Sequence, residues 1–481
     1  MCRCRCSTTS SLVTLLSPTM PLSKGEPIII VGAGAFGLST ALELSNRGYT
    51  NITVFEKDEE IPSRWSAAND LNKIMRAEYE DDFYTDLAIV SSPRQQVSHR
   101  IAKDTIANGA RQEATQEWQT PLFAPYFHRV GFLNCVSEKA PQKAVDTMRR
   151  FQAAAERHPD MKPFVSTVNG RDELRQLCWQ FNGSMPGWKG YFNRYDGYVH
   201  SANALRGIYK VARANGVRFF LGKKVGTVSE IVYDNAAQGR KSVGVRTNTS
   251  RVHAASLVIV TVGAAATKLV PEIGSQVTAK SWSVAHVRLT DEETSALRGI
   301  PVTYARDLGF FFEPDPTTNL LKLCPMGGGY VNTNPSTGVS QPPESLAQSR
   351  FVPLEDELKM RELLRQTLPH LADRPLVQKS LCWFADTSDS DFIVDYVPNT
   401  SSSVMLLSGD SGHGFKMFPI VGRWVNDLLN SPNGQQQVSR WSWRHSDRNG
   451  GTEGQDDDVS WRVGDVKEFR DIPDRPVVSK L

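Results

Sequence analysis

With 481 residues, 40% of them hydrophobic, the chain is long enough for two or three closely packed domains around a sizeable core. Its 55 Lys and Arg against 52 Asp and Glu leave a net charge of +3, which gives no electrostatic footprint for nucleic acid, and no stretch approaches the roughly 20 apolar residues of a membrane span. Of the seven cysteines, Cys2, Cys4 and Cys6 crowd the N-terminus while Cys135, Cys178, Cys324 and Cys382 are scattered, so no disulfide framework and no metal site are expected and a reducing compartment fits better.

In chain order, residues 1–25 are rich in Ser, Thr and Cys and read as an extension; the apolar patch at 12–16 is too weak for a signal peptide, and either Met1 or Met20 serves as the start. Ile28-Ile29-Ile30-Val31 then feeds a Gly32-x-Gly34-x-x-Gly37 turn and a helix over 38–47. That is the dinucleotide fingerprint in its required context: Gly32 permits the tight turn, Gly34 lets the backbone approach a pyrophosphate, and Gly37 lets the helix lie against the strand. A second strand, 52–55, ends at Glu56, whose carboxylate suits ribose hydroxyls and repels a 2′-phosphate, which favours FAD or NAD over NADP.

Helices are expected over 140–157, 171–180 and 201–214, followed by strands over 217–221, 225–233, 242–247 and 256–262, the last running into a turn at Gly263. Residues 275–375 read as an inserted antiparallel unit, with strands at 282–289, 309–313 and 320–324 and a helix at 355–367. A second glycine-rich turn, Gly409-Asp410-Ser411-Gly412-His413-Gly414-Phe415-Lys416, precedes a helix over 419–429. The acidic stretch 447–458 reads as a solvated linker, and Ser479-Lys480-Leu481 matches the peroxisomal address read by an import receptor.

The expected fold class is α/β (α+β overall): a Rossmann-type domain assembled from discontinuous segments, with a mixed-sheet substrate-binding domain. The boundaries are 1–25 for the extension, 26–95, 201–270 and 381–430 for the nucleotide-binding parts, 96–200 for a helical and substrate-domain segment, 271–380 for the substrate domain, and 431–481 for a tail.

Several residues have two readings on their own chemistry. Lys73 and Arg76 share a face if their segment is helical, and form either an anion grip or a surface stripe. Lys322, between Leu321 and Leu323, points away from a buried apolar face, toward solvent or toward a site. Cys382 alone is an ordinary buried cysteine. Lys416, at the start of a helix, can join the helix dipole in holding negative charge. His413, alone in a glycine-rich turn, is a shell residue rather than a base.

Ser66 to Arg76, the turn at Gly263, Leu321-Lys322-Leu323, Cys382-Trp383-Phe384 followed by Asp391-Phe392-Ile393-Val394-Asp395, and the turn ending at Lys416 occur in one order. Over residues 26–430 the chain thereby resembles the monomeric sarcosine oxidase family. Within that family it is similar to the fungal branch of fructosyl amino acid oxidases (amadoriases), saccharopine and pipecolate oxidases, and N-methyl amino acid oxidases. The resemblance implies an FAD enzyme, expected as a monomer, that oxidises the C–N bond of a secondary amino acid to an imine and reduces oxygen to hydrogen peroxide.

The resemblance further implies that Cys382 carries the flavin as a thioether, with Cys324 as the competing candidate, and that Lys322 promotes the oxygen reaction. Lys73 would lie over the flavin, and Arg76 and Lys416 would grip the substrate carboxylate. Amadoriases tend to lack the arginine at the Arg76 position, so its presence leans toward an N-methyl amino acid, pipecolate or saccharopine type of substrate; a fructosyl amino acid is the alternative.

The cofactor shell is expected from Gly32, Gly34, Phe36, Gly37, Glu56, Lys57, Ser66, Asp70, Lys73, Val225 and Gly263, closed by Asp410, Gly412, His413, Gly414, Phe415 and Lys416. The substrate walls are expected to include Phe311, Phe384 and Arg444 beside the two carboxylate-gripping cations. An NAD-dependent dehydrogenase also uses residues 32–56 but leaves residues 409–416 unexplained. A non-catalytic protein on the same fold would be expected to have lost Cys382, Lys322 or Lys416.

Overall fold

Ile28–Val31 consists of four β-branched residues, all buried, the pattern of a strand covered on both faces. It is a central strand of a six-stranded sheet in the order Ile393–Tyr396, Val404–Ser408, Leu257–Val260, Ile28–Val31, Ile52–Glu56, Arg218–Leu221. Every pairing is parallel except that of Ile393–Tyr396 with Val404–Ser408. The helices Ala35–Asn46, Ser201–Ala214 and Val421–Leu429 pack together, and their apolar residues join Ile28, Ile30 and Ile259 in one core. A three-stranded meander, Val228–Ala236, Gly239–Thr247 and Val252–Ala254, contributes to the core that holds Ile29, Val31 and Val260. The structure, a computed structural model, describes residues 22–89, 117–236, 239–444, 462–473 and 475. The linker at 447–458, the Ser-Lys-Leu terminus and all but the end of the expected N-terminal extension lie outside the described residues.

A second, ten-stranded sheet is mixed, as expected. Thr278–Arg288 is its axis, paired antiparallel with Leu320–Pro325 and Leu376–Asp386, while Val302–Ala305 runs parallel to Phe132–Val136. Phe132–Val136, Lys189–Asn193 and Val165–Asn169 complete one edge, so the helical and substrate-domain segment 96–200 supplies three strands of this sheet. One face packs on the helix Leu354–Thr367 through Ala285, Val287, Leu321, Leu323, Met360 and Leu364. The opposite face looks toward the first sheet.

Two expectations change. Lys73–Met75 is a strand rather than a helix, because it pairs antiparallel with Gly197–Val199. The end of the chain is not wholly an appendage: Lys467–Glu468 pairs with Tyr330–Val331, Phe469 buries against Trp383 and Phe351, and Trp441 packs on Trp424. These aromatic residues have apolar surface to remove from water, and they draw the segment onto the fold.

Candidate active site

The loops at the C-terminal ends of the parallel strands converge, and they carry the residues singled out for a dinucleotide. In such sheets ligands bind outside the carboxyl ends of the strands. Gly32, after Val31, has φ +102°, and a Cβ there would stand 2.7 Å from the Thr261 carbonyl oxygen. A Cβ on Gly37 would lie 1.9 Å from the Gly32 carbonyl oxygen, and one on Gly34 3.1 Å from Ser66 Oγ, so this turn admits only backbone. Glu56 ends its strand buried, accepting hydrogen bonds from the Ala33 and Asp58 N–H groups and from Ser63 Oγ. Lys57 lies 3.5 Å over the Trp65 ring, and burial pulls its ammonium down to about 8. Val225 stands 45% exposed on the loop after Leu221, and Gly263, at φ +54°, opens onto space. Phe36 lies against Gly414.

Where the two sheets face each other, Asp70 bridges two lysines. Its Oδ2 accepts from Lys73 Nζ at 2.7 Å and Lys322 Nζ at 2.6 Å, and Lys322 also donates to the Asn72 carbonyl at 2.7 Å. Burial alone would raise the Asp70 pKa, but Lys322 and Lys73 outweigh it and hold the carboxyl well below the usual range. The same burial opposes the Lys73 charge, and Asp70 more than restores it, so that ammonium is held above its ordinary value. Lys322 also faces the Phe312 ring at 5.0 Å.

Cys382 is half-buried, donating from Sγ to the Ala67 carbonyl at 3.6 Å; Cys324 is 5% exposed. Burial raises both thiols, Cys324 to about 12. Cys382 pairs in register with Trp282, whose ring packs on Phe384 at 4.4 Å with the planes tilted by 38°. Gly412, φ +74°, brings the second glycine-rich turn so close that a Cβ would meet the Trp282 ring at 2.4 Å. Asp410 pins that turn by accepting from the Ala385 and Gly412 N–H groups, and burial raises its carboxyl to about 6. Trp282 and His286 share this sheet face with Lys322. His286 is paired with Lys322 across the strands, with Nδ1 buried and unpartnered. Sequence reasoning missed both residues; alternation along 278–288 was the available signal, but it does not say which face meets the crevice.

At one end of the crevice the Tyr79 ring separates two cations, with Arg76 Cζ 4.8 Å and Lys416 Nζ 4.4 Å from its centroid. Arg76 donates to the Glu78 carbonyl, and among the described residues neither cation pairs with a carboxylate. The nearby acids are engaged elsewhere: Glu78 accepts from Tyr191 at 2.7 Å, and Asp196 from the Ala77 N–H and Asn193 at 2.9 Å each. Burial, then the Glu78 charge, pushes the Asp196 pKa well up. Burial and the Arg76 charge push Lys416 well below an ordinary lysine.

His413 stands behind this group. Its Nε2 must donate to the Ser390 carbonyl at 2.8 Å, so Nδ1 accepts from Tyr79 O–H at 3.1 Å. Burial, with Lys416 adding to it, lowers His413 to about 3. The imidazole thus supports Tyr79, with both of its ring nitrogens engaged. Phe415 turns toward Phe418 and Trp118.

Two expected substrate contacts are corrected. Phe311 pairs with Leu323, is fully buried and belongs to the core on the far face of the large sheet; Phe312, one residue on, shares the face of Lys322. Period-2 alternation forces that exchange. Arg444 is held by Asp389 at 2.5 Å and lines a surface pocket with Arg240, Glu272 and Gln276.

The chain matches the model of the FAD dependent oxidoreductase family over residues 27–428. It is 30% identical to the L-saccharopine oxidase of Schizosaccharomyces pombe over 440 residues, 88% of this chain and 94% of that protein. It is 22% identical to the peroxisomal sarcosine oxidase of Mus musculus over 83% of this chain and 91% of that protein. Its fold superposes on the fructosamine oxidase amadoriase II of Aspergillus fumigatus with a TM-score of 0.80 at 29% identity, covering 96% of this chain and 99% of that one. The residues present fit FAD: the first turn leaves room only for backbone, and Asn72, beside the Asp70–Lys322 pair, has both side-chain polar atoms buried and unpartnered, a capacity that a bound group can take up. No helix among the described residues is long and apolar enough to cross a membrane. The chain belongs to the FAD dependent oxidoreductase family and is an FAD-dependent oxidase acting on amine or amino acid substrates.

Proposed function

We propose that this oxidase takes a secondary amino acid of the N-methyl amino acid, pipecolate or saccharopine type, converts its C–N bond to an imine, and reduces oxygen to hydrogen peroxide. The observation that carries the reading is the pair Arg76 and Lys416, two cations on one aromatic ring with no carboxylate partner among the described residues. An α-carboxylate between them satisfies both, with Arg76 able to bind it at two points. This fixes the substrate's α-carbon, and such positioning supplies much of the rate.

When bound, FAD would supply the electron acceptor: a hydride (two electrons and a proton) would leave the C–H bond, the N–H proton would pass to solvent, and oxygen would take the two electrons with two protons to give hydrogen peroxide. Cys382 is the residue proposed to tether it as a thioether, being the more accessible of the two candidate thiols. Lys73, on the same Asp70 carboxylate as Lys322, keeps a second positive charge in the crevice. Lys322, 2% exposed and held by Asp70, is suited to stabilise negative charge that develops on oxygen. Trp282 and Phe384 wall the crevice against water beside Cys382. The Ser479-Lys480-Leu481 terminus supports delivery to the peroxisome through its import receptor.

Deglycation of fructosyl amino acids is the second reading, supported by the likeness to amadoriase II. A peroxide-release screen over sarcosine, N-methyl aromatic amino acids, pipecolate, saccharopine and fructosyl amino acids separates the two. The expected result is turnover of one or more plain secondary amino acids. Turnover of sugar adducts alone would overturn the role given to Arg76, and a protein purified without flavin would overturn the whole reading.

A further inference from the structure

Near the Arg76–Lys416 pair lies a third cation that the reaction above does not use. Arg306 follows the strand Val302–Ala305 and is 2% exposed. Its backbone N–H donates to the Cys135 carbonyl and its Nε to Asn134 Oδ1 at 3.0 Å, whereas Nη1 is buried and meets no acceptor among the described residues. Among the described residues no carboxylate pairs with it. Asp307 is spent on the Ser137 N–H and hydroxyl, Glu80 on Arg150, and Glu78 on Tyr191 and Asn193.

Unpaired buried charge is among the costliest features a fold can carry, and a guanidinium does not shed it by losing its proton, although burial works in that direction here. Its place is informative. Arg306 Cζ lies 4.4 Å from the Phe151 ring centroid and Arg76 Cζ lies 4.6 Å from the same centroid, so the two guanidinium groups are separated by no more than the sum of these distances. A short methylene arm bridges such a gap.

We infer that Arg306 is a second anion-binding residue of the substrate site, and that the substrate is a secondary amino acid whose N-linked arm ends in a further carboxylate. The first carboxylate is gripped by Arg76 and Lys416, and the second takes the unused Nη1 edge of Arg306. Phe151 packs against both guanidinium groups and holds them near each other. This rests on the oxidase reading and narrows its substrate class.

The test compares the flavin-loaded enzyme on N-butylglycine and N-(3-carboxypropyl)glycine, which differ only in a terminal methyl or carboxylate. Non-oxidisable thioether analogues of both, read by the change in flavin absorbance, report binding alone. The wild type is expected to favour the dicarboxylate by about 10- to 100-fold in kcat/KM and in the dissociation constant, the range of a charge-assisted hydrogen bond to an otherwise unpaired cation. Arg306→Met should reduce that preference to less than about threefold, and Arg306→Lys should restore part of it. If Arg306→Met does not fold, the wild-type comparison alone decides. Equal use of the two probes, or a preference for the butyl compound, overturns the inference and leaves the oxidase reading standing; oxidation of no secondary amino acid at all overturns both.

Discussion

Replacing Asp70 by Asn removes one negative charge from between two ammonium groups, and the structure says which of them suffers. Lys322 is 2% exposed and would keep only neutral acceptors, the Asn72 carbonyl and the new amide oxygen, whereas Lys73, 24% exposed, can turn toward water. Breaking a buried ion pair by removing one partner costs about 3–5 kcal/mol, most of it here from Lys322. With an unfolding entropy of about 2.1 cal/mol/K per residue, a chain of this size loses roughly 1 °C of melting midpoint per kcal/mol, so Asp70→Asn should melt about 3–5 °C lower at pH 7. The flavin-loaded proteins would be compared by circular dichroism melts across pH.

Because the folded pKa of Asp70 is depressed, its contribution is fully present above the unfolded value of about 3.9 and is lost as pH falls through the folded value. The gap between wild type and variant should therefore hold from pH 7 to about 5 and shrink in stronger acid. Replacing Lys322 by Met as well should recover part of the loss, since removing both partners leaves no orphaned charge. A gap under about 1 °C at pH 7, or one that is no smaller at the acid end, would refute the reasoning.

Cys382→Ser should leave no flavin on the chain after acid precipitation, while Cys324→Ser keeps it; intact-mass analysis reads both, and retention of flavin mass in Cys382→Ser would move the tether elsewhere. Gly412→Ala combines a left-handed backbone with a Cβ 2.4 Å from the Trp282 ring, and should weaken flavin retention about tenfold or more, measured by flavin content after dialysis. Lys416 has its ammonium pKa held well below normal, so the charge is present at low pH and lost as pH rises through that value. The KM for a carboxylate substrate should climb on that alkaline limb, and Lys416→Met should raise KM about 10- to 100-fold and abolish the limb.

Much of this was legible locally. The run Ile28–Val31, the Gly32-Gly34-Gly37 turn and Glu56 announce a nucleotide-binding crossover, because strand, turn and helix each leave a short-range signature; the helix Ser201–Ala214 stands where its apolar spacing puts it. The separate glycine-rich turn before Lys416 was visible for the same reason. Tertiary structure alone decided that residues 73–75 form a strand, since their partner lies more than a hundred residues away and pairing leaves no local period. It also decided that Phe312, not Phe311, shares the face of Lys322, that Arg444 is held by Asp389, and that Arg306 lies near Arg76 with no acid of its own among the described residues. Alternation along a strand fixes which residues share a side but not which side meets the cofactor crevice, and a charge has meaning only against the neighbours that folding brings within a few ångströms of it.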